Sequence, residues 1–158
     1  MQNSPKGPQI GHVHLKVADL ERAIAFYHLL GFELTQRYGS QAAFMGADGY
    51  HHHIGLNTWQ SSGAAPAPDG FAGLYHLAVL YPDRPALAQA LNRVLAAGHA
   101  LEGAADHGVS EAVYLRDPDG NGVELYRDRA PEDWPRDADG VLKMDNARLD
   151  VAALLAEA

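Results

Sequence analysis

Asp117-Pro118-Asp119-Gly120-Asn121-Gly122-Val123-Glu124-Leu125-Tyr126 reads as a tight turn running into a strand. Pro-Asp-Gly-Asn-Gly supplies turn chemistry, and Val-Glu-Leu-Tyr supplies β-propensity. Side chains alternate along a strand, so Val123 and Leu125 point one way and Glu124 the other. Two apolar neighbours belong in a core. A carboxylate on the opposite face needs water or a partner, because burying it unpaired is very costly.

The same order of elements occurs twice. Ile10–Val17 alternates, with His12 and His14 on one face, and Asp19 can cap a helix over Leu20–Leu30 that Gly31 closes. Strands follow at Phe32–Tyr38 and Ala42–Met45. Asp48-Gly49 then turns into a strand over Tyr50–Asn57 that carries His51, His52 and His53. After a Ser/Gly/Ala/Pro-rich stretch the series repeats: a strand at Leu74–Tyr81 with His76, a helix at Arg84–Ala97 closed by Gly98, strands at His99–Gly103 and Ala112–Arg116, and the Glu124 strand. The expected fold is α+β: two βαβββ modules at 9–58 and 72–128, a linker at 59–71, and an extension at 129–158 with a helix near Ala147–Ala156. All are read as one domain. His12 and His76 occupy matching places in the two first strands. Counting four residues on from Gly49 and from Gly120 matches His53 with Glu124.

Composition narrows the chemistry. The 158 residues are 47% hydrophobic and 20% charged, the profile of a globular protein. A net charge of −8 without a basic cluster argues against nucleic acid. The absence of cysteine excludes disulfides, thiolate nucleophiles and Cys-based metal sites. The N-terminal stretch Met-Gln-Asn-Ser-Pro-Lys-Gly-Pro has no apolar signal region and no run reaches membrane-spanning length, so the expected location is cytoplasmic, without a membrane partner. Nine histidines stand out. Histidines and one carboxylate on distant strands suit a divalent metal such as Fe, Zn, Ni or Mn, and two histidines with one carboxylate form the non-haem Fe(II) pattern. Asp117-x-Asp119-x-Asn121-Gly122 resembles the start of a calcium loop. Glu124 at the eighth position and strand-like flanks exclude that reading.

The set Gly-His12-Val-His-Leu-Lys-Val-Ala-Asp-Leu, Ala-Phe-Tyr27, Leu-Tyr-His76-Leu-Ala-Val and Asp-Pro-Asp-Gly-Asn-Gly-Val-Glu124-Leu-Tyr resembles the vicinal oxygen chelate superfamily. That superfamily includes glyoxalase I, thiol transferases, bleomycin-binding proteins and extradiol dioxygenases. The resemblance implies a curved mixed sheet around a metal-centred cavity, and is closest to small catechol 2,3-dioxygenase-like proteins. It implies His12, His76 and Glu124 as metal ligands, Fe(II) as the metal with Mn, Ni or Zn as alternatives, and a small aromatic diol and O₂ as substrates. His53 resembles the distal acid/base, Tyr114 the tyrosine that orients substrate, and His107 a further active-site histidine. The ring would be cut beside its two hydroxyls, with both oxygen atoms entering the product. His14 could line the pocket, while His28, His51, His52 and His99 are expected to be structural or solvent-exposed. The rival readings are a glyoxalase-type isomerase or thiol transferase, which would usually carry glutamate at position 53, and a non-catalytic binding protein. Leu149, Leu154 and Leu155 are expected to pack on the domain or on a second subunit, which is compatible with a homo-oligomer.

Overall fold

A computed structural model describes residues 7–158; the first six residues of the N-terminal stretch read above lie outside the described residues. The chain forms two compact units, Met1–Ala65 and Pro66–Ala158. Unit 1 contains β1 (Val13–Lys16), α1 (Leu20–Leu29), β2 (Glu33–Tyr38), β3 (Ala42–Gly46) and β4 (Ile54–Asn57). Unit 2 contains β5 (Leu77–Tyr81), α2 (Arg84–Ala96), β6 (Leu101–Asp106), β7 (Ser110–Arg116), β8 (Gly122–Asp128), β9 (Ala147–Arg148) and α3 (Val151–Leu155). Among the described residues no helix is long and apolar enough to cross a membrane.

Both modules are built by the same local rules. Asp19 caps α1 by accepting from the Arg22 N–H at 3.0 Å, and Asp83 caps α2 by accepting from the Ala86 N–H at 2.8 Å. Gly31 and Gly98 end these helices at φ 107° and 87°, a backbone region that glycine enters without a Cβ penalty. In unit 1 the buried side of α1 (Ala23, Phe26, Tyr27) joins Met45 and Leu56 in the core. In unit 2 Leu87, Leu91 and Val94 of α2 join Val113, Leu115, Val123 and Leu125.

The fold is α+β, as expected, with one sheet per module: β1-β4-β3-β2, and β5-β8-β7-β6-β9. Each is mixed, because the first strand of the module pairs parallel to the last while the other pairs are antiparallel. Both modules also carry an irregularity in the second strand, between Leu34 and Gln36 and between Leu101 and Gly103. The histidine triplet lies ahead of β4, not inside it.

The C-terminal extension departs from expectation. Ala147–Arg148 is a strand beside Ala105 and Asp106 of β6, and only Val151–Leu155 is helical. Asp150 sets that start by accepting from the Ala153 N–H at 3.0 Å. Leu149 and Leu154 are buried, and α3 packs on α2.

One ion-pair cluster ties unit 2 together. Glu111 on β7 is only 4% exposed and meets Arg84 Nε at 2.8 Å and Arg127 Nε at 2.7 Å. Arg84 also holds Glu157 beyond α3, and Arg129 grips Asp106 through two bonds of 2.6 and 2.8 Å. Removing one partner of a buried pair strands the other charge, so Glu111→Ala is expected to cost about 3–5 kcal/mol in urea unfolding. The Arg129 guanidinium, bonded to Asp106, holds that carboxyl down at about 2. A depressed folded-state value means the contribution is present above the ordinary carboxylate range and disappears as pH falls to about 2. Asp106→Asn should therefore lower the thermal midpoint at pH 7 and leave it unchanged near pH 2.

Candidate active site

The site is built from the Asp117 turn outward. The Asp117 carboxylate is buried and is taken up by its own turn. Oδ1 accepts from the Asp119 and Asn121 N–H groups at 2.9 and 2.8 Å, and Oδ2 accepts from Asn121 Nδ2 at 2.9 Å. Gly120 sits at φ 84°, and its N–H donates to the Asp117 carbonyl. A carboxylate consumed by backbone donors explains the calcium-like spacing without calcium. The turn delivers β8 in a fixed register, with Glu124 opposite Ala78 on β5 and Tyr114 on β7.

Directly opposed residues on neighbouring strands bring their side chains together on one face. Ala78, Glu124, Tyr114 and Gly103 thus form one row across β5, β8, β7 and β6. His76, just before β5, faces the same way and places Nε2 2.9 Å from Glu124 Oε2. Tyr114's hydroxyl lies 3.3 Å from Glu124 Oε1 and 2.7 Å from His107 Nε2. Burial, then the Glu124 charge, raise the Tyr114 phenol to about 12. A cleft of about 410 Å³ opens here, its walls including Tyr75, His76, Gly103, Tyr114 and Asn146. Four of the six expected site residues, His76, Tyr114, Glu124 and His107, are thereby connected within unit 2.

His12 and His53 lie in unit 1. The corresponding row there is His14, Gly55, Phe44 and Gln36. By strand pairing the counterpart of Glu124 is therefore Gly55, and Phe44 is that of Tyr114. His53 is two residues short of the position that counting gave it, because residues 47–53 between β3 and β4 outnumber residues 117–121 between β7 and β8. His14 occupies the space a side chain at 55 would need: a Cβ on Gly55 would lie 2.8 Å from the His14 ring carbon Cγ.

His53 packs on Phe32 and Tyr50, with ring centroids 5.9 and 4.6 Å away, and its Nδ1 accepts from the Ala47 N–H at 3.3 Å. The ring against His12 is that of His52, with centroids 4.5 Å apart. His52 also meets Phe44 at 5.1 Å and places its Nδ1 2.7 Å from Nδ1 of His51. Burial first, and then neighbouring His12 and His51, push the His52 imidazole below its ordinary value, and burial followed by His12 lowers His14. His52 was expected to be structural or solvent-exposed, and the structure stacks it on His12 and Phe44. Its contact with Phe44, the match of Tyr114, would have been the signal had the register been known.

The donors in unit 2 suit a divalent metal. Two ligand atoms each about 2.1 Å from a metal and at right angles stand about 3 Å apart, which is the His76–Glu124 separation. Among the described residues no three His, Asp or Glu side chains are gathered at one point that could hold an ion.

Comparison with known proteins adds to this geometry. The model of the Glyoxalase/Bleomycin resistance protein/Dioxygenase superfamily matches residues 9–125. A catechol-2,3-dioxygenase of Bacillus subtilis (strain 168) is 41% identical over 151 residues, covering 94% of this chain and 52% of that protein. A biphenyl-2,3-diol 1,2-dioxygenase of Rhodococcus globerulus is 27% identical, covering 77% of this chain and 63% of its own. The chain thus spans about half to two thirds of the length of the curated relatives it matches. Among solved structures, a lactoylglutathione lyase from Agrobacterium tumefaciens aligns with TM-score 0.59 and 26% identity over 78% of this chain and 96% of that one. A glyoxalase/dioxygenase from Nostoc punctiforme aligns with TM-score 0.63 and 21% identity over 82% of this chain and 100% of that one, a likeness of fold.

The crowding at Gly55 can be tested by substitution. Gly55→Ala is expected to lose about 1–3 kcal/mol in urea unfolding by overpacking against the His14 ring. The double variant Gly55→Ala/His14→Ala should recover most of that loss.

Proposed function

We propose that this chain, which belongs to the Glyoxalase/Bleomycin resistance protein/Dioxygenase superfamily, is an extradiol dioxygenase that opens the ring of a catechol-type substrate with O₂. The observation that carries the reading is the His76–Glu124 donor pair with Tyr114 directly across the sheet. The 41% identity to a catechol-2,3-dioxygenase supports it. His76 and Glu124 act as two metal ligands, and His12, at the matching place before β1, as the third; Fe(II) is the metal of choice for this donor set. Bound there, the metal supplies Lewis acidity that favours the ionised form of a catechol hydroxyl and holds it beside O₂.

The chain's own groups supply the rest. Tyr114 positions a substrate hydroxyl by hydrogen bonding from the floor of the cleft, with His107 behind it. An imidazole on the His12 side of the unit 1 sheet takes up and returns a proton during ring opening. His52 suits that role better than His53, since its ring lies against His12. Tyr75, an exposed aromatic in the cleft wall, suits an aromatic substrate.

A specific likeness keeps a second reading in view. The lactoylglutathione lyase aligns at 26% identity, and a glyoxalase-type isomerase would use the same donors with Ni or Zn.

Reconstitution with Fe(II) under nitrogen, followed by a catechol panel and air, should give O₂ uptake and a coloured ring-cleavage product. Silence with every catechol, together with hemithioacetal isomerisation in the Ni or Zn form, would transfer the assignment to the isomerase. Glu124→Ala is expected to abolish retention of metal through gel filtration, and a variant that kept its metal would refute the ligand set. His52→Ala should lower kcat by about 100-fold or more, and His53→Ala by less.

A further inference from the structure

The extension beyond β8 is more than a covering strap. Trp134 Nε1 donates to the Arg129 carbonyl at 2.8 Å, and the Lys143 N–H donates to the Pro135 carbonyl at 2.8 Å. Pro135 lies so close to the β6–β7 turn that a Cβ on Gly108 would come within 2.8 Å of its ring. The next residues reach His107 itself. The Asp145 N–H donates to the His107 carbonyl at 3.0 Å, and the Asp145 carbonyl stands 2.8 Å from His107 Nδ1. Asn146 then forms part of the cleft wall.

We propose that the C-terminal segment 134–146 is a positioning element of the active site: the Asp145 carbonyl fixes His107 as its Nδ1–H tautomer, and His107 in turn sets the direction of the Tyr114 hydroxyl. A carbonyl oxygen can only accept, so Nδ1 must carry the hydrogen. In the neutral ring Nε2 is then bare and takes the single hydrogen of Tyr114, which is 2.7 Å away. The short contact to Nε2 takes the larger share of that hydrogen, since Glu124 at 3.3 Å is the longer contact. Tyr114 therefore turns lone-pair density toward the cleft. It receives a hydrogen bond from a substrate hydroxyl instead of donating one. This assignment of Tyr114 rests on the dioxygenase reading; the tautomer of His107 does not.

The two can be tested separately. Long-range ¹H–¹⁵N spectra of the metal-free protein at neutral pH, with His107→Gln to assign the signal, should show Nδ1 protonated and Nε2 bare. Free histidine prefers the opposite tautomer, so an Nε2–H or doubly protonated His107 overturns the proposal. Asp145→Pro removes the N–H that seats the carbonyl and should shift His107 toward Nε2–H, whereas Asp145→Ala keeps both backbone bonds and should keep the wild-type pattern. In the Fe(II) enzyme Asp145→Pro should lower kcat for catechol by about tenfold or more, with KM changed much less. An Asp145→Pro protein with an unchanged His107 spectrum refutes the role of the strap. If that variant fails to fold, the wild-type spectrum alone decides. A wild-type protein with the Nδ1–H pattern that cleaves no catechol refutes the dioxygenase reading and leaves the tautomer assignment standing.

Discussion

The parallel pairing of the first and last strands in each module is the constraint on which the rest depends. It makes residues far apart in the chain into neighbours: Ala78 beside Glu124, and His14 beside Gly55. A parallel pair cannot be closed by a tight turn, so a helix and a hairpin must fill the interval, and here they supply the core. The histidine that precedes each first strand is thereby brought to the face on which the last strand can offer a partner. In unit 2 that partner is Glu124. The Asp117 turn protects the arrangement, because a slip of one residue would point Glu124 into the core among Val113, Leu115 and Leu125.

Much of this was legible in the chain. Asp19 declared the start of the first helix, Gly31 and Gly98 declared the ends of both, and each does in the fold what its chemistry allows. That His76, Tyr114 and Glu124 meet on one face was readable because the strands that carry them alternate regularly and the turn between β7 and β8 is short. The strand position of His53 was misread for the opposite reason. Its match with Glu124 assumed hairpins of equal length, and the loop from 47 to 53 is longer and holds three consecutive histidines whose directions no periodicity specifies. His107 was the faintest expectation, since its partners Tyr114 and Asp145 lie 7 and 38 residues away. The extension was opaque because its backbone makes the contacts, and backbone groups leave little trace in side-chain identity.

The extension also reuses a device from the site. Asp137 accepts from the Asp139 and Val141 N–H groups at 2.9 Å each, and Gly140 sits at φ 80°, reproducing the turn at Asp117–Asn121. In both places an arginine just before the turn also donates to the glycine carbonyl, Arg116 to Gly120 and Arg136 to Gly140. The same unit fixes a functional register at one position and steers a tail at the other.

The paired positions 14/55 and 78/124 carry an evolutionary consequence. In unit 1 the row has room for one bulky side chain at this pair, His14 over Gly55, and in unit 2 Glu124 stands beside Ala78. Two copies of an ancestral module would not interconvert through single substitutions here. A carboxylate introduced at 55 would meet the His14 ring before it could meet a metal. The small residue must come first, on the opposite strand, and only then the new donor. Divergence at this pair is therefore a two-step path with an unfavourable order and a permissive one, so duplicated halves that have parted there would tend to stay specialised.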